Sequence, residues 1–188
     1  MSQDVGYLLD TNVFNHVLDG TIEIANLKGK RLLATHVQRD EISKTKHQTR
    51  REALLAVFGS LTTKQAPTSS VLAGISVADG TATSVSGLVP TESAVWDVSR
   101  WDQAKWGAND DVFTGMLGEL DALNKCKSNN PQDILIAETA LRNNWILVTS
   151  DVDLFAVLTK YGGACANAFV LHVGSRPCKN ISSCKSSR

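Results

Sequence analysis

The sequence predicts an α/β protein, a three-layer α/β/α arrangement around a central, mostly parallel sheet, with an insertion. Three observations predict it. Short apolar runs at 5–9, 31–35, 145–149 and 168–173 alternate with stretches of helical periodicity, the order that lays helices over both faces of a parallel sheet. Acids follow two of those runs within two residues, Asp10 after the first and Asp151 after the third, and ligands of such sheets bind beyond the carboxyl ends of the strands. The length of 188 residues suffices for one core-bearing domain and is too small for two full ones.

The elements read in order as follows. Residues 5–9 form a short buried strand ending at Asp10, and Asn12 is the expected N-cap of a helix through Val13, Phe14, Val17 and Leu18, stopped by Gly20. Residues 31–35 form a second strand. One helix follows, carrying Val37, Ile42, Leu54, Leu55 and Phe58 inward and its basic residues outward. The segment 60–109 changes character: between Ser60 and Ser93 its only charges are Lys64, Asp79 and Glu92. It reads as an insertion, with a helix capped by Thr91 that uses Ala94, Val95, Val98 and Trp101. Helical periodicity resumes over 110–126. Asn130-Pro131 opens the next helix, Asn as N-cap and Pro in the first turn, with Asp133 close behind. Residues 145–149 are the clearest strand, Asp151 starts a helix closed by Gly162-Gly163, and 168–173 is the last strand. The domain is expected to span 1–174, with a disordered polar tail at 175–188.

Composition narrows the function classes. The 43% hydrophobic content is ordinary for a globular protein, and Lys plus Arg balances Asp plus Glu at 19 each. Distribution says more: Lys28, Lys30, Arg31, Arg39, Lys44, Lys46, Arg50 and Arg51 gather in one stretch. A basic strip beside an acidic pocket suits a phosphate backbone, and Lys44, Lys46, Arg50 and Arg51 are the candidate nucleic-acid contacts. Trp96, Arg100, Trp101, Lys105 and Trp106 interleave rings with cations, a composition able to stack on unpaired bases and equally able to pack a helix on the core; Trp101 joins the candidates. No stretch approaches the roughly 20 apolar residues of a membrane span, and no secretory leader is read, so a cytoplasmic protein is expected. Its four cysteines lack zinc-type spacing and are expected as reduced thiols, with a Cys178–Cys184 tail disulfide the alternative.

The chemistry rests on Asp10, Glu41, Asp133, Asp151 and Asp153. Singly, each is an ordinary capping or dipole-favoured acid. Together, acids gathered at one sheet end cannot stay ionised and close without a cation, and hard divalent ions take oxygen ligands. Mg2+ or Mn2+ is the expected cofactor. Phosphodiester hydrolysis needs an activated water and a neutralised leaving oxygen, which such ions supply.

Leu8-Leu9-Asp10-Thr11-Asn12-Val13-Phe14, then Arg39-Asp40-Glu41-Ile42, then the run from Asp133 to Ala140, then the run from Leu147 to Leu154 resemble the successive motifs of the PIN domain, over about 5–58 and 110–173. The resemblance implies a metal-dependent endoribonuclease that leaves a 5′-phosphate and a 3′-hydroxyl, of the VapC-like toxin kind, held inactive by an antitoxin and commonly dimeric. It implies Asp10, Glu41 (or Asp40 in its place), Asp133 and Asp151 as the acidic quartet, Asp153 as an auxiliary ligand, and Asn12 and Thr149 as orienting residues. Compact toxins of that family lack an insertion like 60–109. The alternatives are a degenerate PIN module that binds RNA or a protein partner without cutting, and a haloacid-dehalogenase-like phosphatase. The latter wants an aspartate two places after Asp10, where this chain has Asn12.

Overall fold

The computed structural model describes residues 5–27, 29–62, 65–69 and 112–170. In chain order the elements are β1 (Gly6–Leu9), α1 (Thr11–Leu18), β2 (Arg31–Leu33), α2 (His36–Ser43), α3 (Gln48–Leu61), α4 (Val112–Asn124), α5 (Asn130–Arg142), β3 (Ile146–Thr149), α6 (Val152–Lys160) and β4 (Ala164–Asn167). The four strands form one all-parallel sheet in the order β2-β1-β3-β4. This is the three-layer α/β/α arrangement the sequence predicts.

Strand alternation builds the two cores. Leu33, Leu8, Leu147 and Cys165 stand in register across the sheet and face Met116, Leu120, Ile134 and Leu158 of α4, α5 and α6. Leu9, Val148 and Ala166, one residue further along, turn to the opposite face and meet Val13, Phe14, Leu54 and Phe58 of α1 and α3. A parallel sheet covered on both faces needs apolar side chains at consecutive positions, and all four residues of β3 are buried.

Several expected boundaries move. The single helix expected after β2 is two: α2 ends at Ser43, whose Oγ donates to the Arg39 carbonyl at 2.8 Å, and α3 starts only at Gln48. Asp10 rather than Asn12 caps α1, because the chain turns out of β1 at once and the Asp10 carboxylate accepts the Thr11 N–H at 2.6 Å. Asn129 rather than Asn130 precedes α5. Asn130 is wholly buried, donating to Asp121 at 2.6 Å and exchanging hydrogen bonds with Asn124. The last strand lies at 164–167, not 168–173; Ala168–Val170 is a 3-10 turn.

Gly162 and Gly163 explain that shift. Gly162 takes a left-handed φ of 83°, and a Cβ on Gly163 would stand 2.4 Å from Leu158 Cδ1. The turn is tight enough to feed β4 immediately after α6. Gly163→Ala is expected to destabilise the protein by about 1–3 kcal/mol through overpacking on buried Leu158, read as a lower urea midpoint at unchanged m.

The insertion expected at 60–109 begins inside α3, which runs to Leu61. Gln65 then bridges Ala34, the Ala66 N–H donates to the Ala34 carbonyl at 2.7 Å, and the Ser69 N–H reaches Thr139 Oγ1 at 3.0 Å. This short piece covers the open edge at β2, as exposed edges require. The helix expected after Thr91, with Trp96, Arg100, Trp101, Lys105 and Trp106, lies outside the described residues, as do His172, the tail at 175–188, Cys178 and Cys184. Cys126 and Cys165 are free thiols, exposed and buried respectively. No described helix is long and apolar enough to cross a membrane.

Candidate functional site

β1 sits beside both β2 and β3, so the chain order reverses between β1 and β3. Such a switch point opens a crevice at the carboxyl ends of the two strands. Asp10 terminates β1 and Asp151 follows β3 at that same edge.

Hydrogen bonds join the two strand ends. Thr149 Oγ1 donates to Asp10 Oδ2 at 2.6 Å and accepts the Asp151 N–H at 2.9 Å. Asn12 Nδ2 donates to Asp10 Oδ2 at 2.6 Å, and Asn12 Oδ1 accepts the Ser150 N–H at 3.3 Å. Asn12 and Thr149, expected to orient the site, thus fix the Asp10 carboxylate and the backbone that carries Asp151. Asp151 also caps α6, its Oδ1 accepting the N–H groups of Asp153 and Leu154 at 2.8 and 3.1 Å. The capping role and the site position coexist.

Glu41 enters from α2, and Thr11 Oγ1 donates to its Oε2. Asp133 enters from the first turn of α5, with Asn129 Nδ2 donating to its Oδ2 at 2.9 Å. Electrostatics couples these acids. Burial pushes Asp10 up to about 6 against the opposing hydrogen bonds from Thr149 and Thr11, and the negative fields of Glu41 and Asp151 add to it. Burial also drives Asp133 up to about 8, reinforced by Asp10, Glu41 and Asp151 and opposed by Lys127. Glu41 is raised by burial, with the Thr11 hydrogen bond and Lys44 working the other way. Mutual fields of this kind require proximity. Asp10 and Asp151 are joined through Thr149 at one edge of the sheet, and Glu41 and Asp133 lie within reach of their fields. Asp153 lies in the first turn of α6, its N–H bonded to Asp151.

The donor set is all oxygen, the kind that hard divalent ions take, and the charge balance asks for a cation. Chemistry and charge fit a hard divalent ion. The arrangement is not a finished cage: among the described residues, no group of three or more His, Cys, Asp or Glu side chains is placed to hold an ion.

The residues of the basic strip differ in their contacts. Arg50 forms a two-point pair with Asp19 at 2.8 and 2.9 Å and also donates to Asn15. Arg51 donates to the Thr45 carbonyl at 3.1 Å. Lys44 and Lys46 are exposed, and Lys44 lies close enough to Glu41 to favour its ionised form.

Three contributors escaped the sequence reading. Gln38, wholly buried, donates to the Leu9 carbonyl at 2.8 Å and accepts the Thr35 N–H at 2.9 Å. It ties α2, which carries Glu41, to the residue before Asp10. Its signal was present, since Thr35 and Gln38 have capping-box spacing. His16 bonds Ser150 Oγ at 3.1 Å and Thr21 Oγ1 at 3.2 Å, with its ring edge on Phe169. Lys127, in the turn before α5, carried no signal in sequence.

No family model matches this chain, and no curated protein matches it. Among solved structures it is similar to VapBC2 from Rickettsia felis bound to a DNA fragment from its promoter, at 16% identity over 80% of this chain and 91% of that one, with a TM-score of 0.40. It is also similar to VapBC-5 from Mycobacterium tuberculosis, a toxin-antitoxin system, at 17% identity over 81% and 90%, with a TM-score of 0.39.

Proposed function

We propose that this protein is a divalent-metal-dependent endoribonuclease, with Mg2+ or Mn2+ held by Asp10, Asp133 and Asp151, Asp153 auxiliary to them, and Glu41 completing the catalytic quartet. The observation that supports the reading is the hydrogen-bonded pairing of Asp10 and Asp151 through Thr149 at the switch-point edge of a parallel sheet, with Glu41 and Asp133 within reach of their fields. A divalent ion bound there would make a water more acidic and set positive charge against the phosphate.

The chain's own residues then have distinct tasks. Thr149 and Asn12 fix the Asp10 carboxylate in rotation by donating to its Oδ2. Thr11 holds Glu41 through Oε2, which leaves Oε1 to take a proton from the attacking water. Asp133 is the acid most opposed to ionisation in the metal-free protein and therefore the one that gains most from a cation. The products would carry a 5′-phosphate and a 3′-hydroxyl. In this reading, which leans on the PIN resemblance, the chain is the toxin of a toxin-antitoxin pair in the cytoplasm. Its partners would be RNA, an antitoxin and a second copy of itself.

The absence of a ready-made ion cage among the described residues favours a second reading, a PIN module that binds RNA or a protein partner without cutting it. One experiment separates the two. The purified protein is given structured and unstructured RNAs with Mn2+ or Mg2+, with and without chelator, beside Asp10→Asn. Cleavage that chelator abolishes and Asp10→Asn lacks is the expected result. Cleavage undiminished in Asp10→Asn removes the nuclease proposal, and no cleavage with no thermal stabilisation by Mn2+ leaves the binding module.

A further inference from the structure

Four acids at one edge would repel the phosphodiester that the proposed reaction needs. Two lysines lie on or beside the elements that carry Glu41 and Asp133. Lys44 is the C-cap of α2, one turn beyond Glu41. Lys127 lies in the turn between α4 and α5, three residues before buried Asn130. That turn is built: Lys125 and Cys126 adopt left-handed φ values of 62° and 55°, and the Asn130 N–H bonds the Lys127 carbonyl at 3.1 Å. The Asn130 side chain is clasped to Asp121 and Asn124 of α4. Non-glycine residues seldom take such φ values without surrounding contacts to hold them.

Both lysines are exposed, and neither is ion-paired to another described residue. Arg50, by contrast, is engaged with Asp19. A lysine is a mobile point charge with three donors, suited to phosphate oxygens of either neighbour of a reacting bond.

We propose that Lys44 and Lys127, reaching in from α2 and from the α4–α5 turn, form a two-point track that holds the phosphates of single-stranded RNA on either side of the acidic site. This rests on the nuclease reading for the identity of the bound polymer. The lysines are positioning residues: they hold the backbone and leave the bond-breaking to the acids.

The test measures binding separately from cleavage. In the Asp10→Asn background, with magnesium present, affinity for a fluorescent unstructured RNA oligonucleotide is followed by anisotropy across a salt series. Each lost phosphate contact lowers the slope of log K against log salt by about 0.7 for a single strand. Lys127→Gln and Lys44→Gln are each expected to lower it by about that much, and Lys127→Arg to restore it. Lys160→Gln, at the far end of α6 from Asp151 and paired with Glu119, is expected to leave it unchanged.

An unchanged slope in either lysine variant overturns the track, as does an equal drop in Lys160→Gln. Loss of slope in the two variants, with a wild-type protein that cuts no RNA, sinks the nuclease reading and leaves the track standing. Cleavage by the wild type with unaltered slopes does the reverse.

Discussion

Asp133→Asn is expected to abolish RNA cleavage and, in the same molecule, to raise the stability of the metal-free protein at pH 8. The two effects have one cause. Burial and three negative neighbours drive Asp133 up to about 8 in the folded protein, from 3.8 for an ordinary aspartate. The folded state therefore holds this proton to higher pH than the unfolded chain does. Its favourable contribution is complete below about pH 4 and is lost as pH rises toward 8. Asp10, pushed up to about 6, acts in the same direction over a narrower window.

A metal-free melting series should thus show the wild type weakening from pH 5 to 8 through these groups. Asparagine keeps the shape and carries no charge, so its curve should be flatter. Asp133 is half-buried, and water screens part of its penalty, so a gain of about 1–3 kcal/mol at pH 8 is expected. Manganese should stabilise the wild type at pH 8 and stabilise Asp133→Asn far less. A variant no more stable than wild type at pH 8 in chelator would show that the acids are not crowded enough to oppose one another.

What the sequence could reveal follows from which interactions are local. Asp10 and Asp151 were legible because they come one and two residues after a short apolar run, and strand ends of a parallel sheet lie on one edge. Asp133 was legible from the helix start at Pro131. β4 was hidden because Ala164, Cys165, Ala166 and Asn167 lack the β-branched and aromatic residues that mark strands. Phe169 and Val170 offered that mark falsely; they sit exposed in a 3-10 turn. Only register against β3 defines the true strand, and register is a long-range property. The position of Lys127 depends on two left-handed residues that are neither glycine nor part of any recognisable turn signal. The division of the basic strip likewise depends on Asp19, brought to Arg50 by the packing of α1 on α3.

Gln38→Leu is the second substitution with a large expected effect, because one buried amide serves two parts of the site. Leucine of similar size would leave the Leu9 carbonyl and the Thr35 N–H without their present partners. Each buried orphan costs about 1–3 kcal/mol, so a total loss of about 2–4 kcal/mol is expected. Function should fall further than stability alone dictates. Leu9 immediately precedes Asp10, and α2 carries Glu41, so the change loosens two of the four acids relative to each other. Supporting residues of this kind typically alter metal affinity or activity by about 10–100-fold, and the manganese needed for half-maximal cleavage should rise within that range. Val37→Ala supplies the comparison: Val37 is the adjacent residue of α2, buried in the other core and bonded to nothing at the site by its side chain. It should lose stability by cavity formation while keeping its manganese requirement. Equal shifts in manganese requirement for the two variants would mean that general loosening of α2, and not the Gln38 hydrogen bonds, sets the spacing of Asp10 and Glu41.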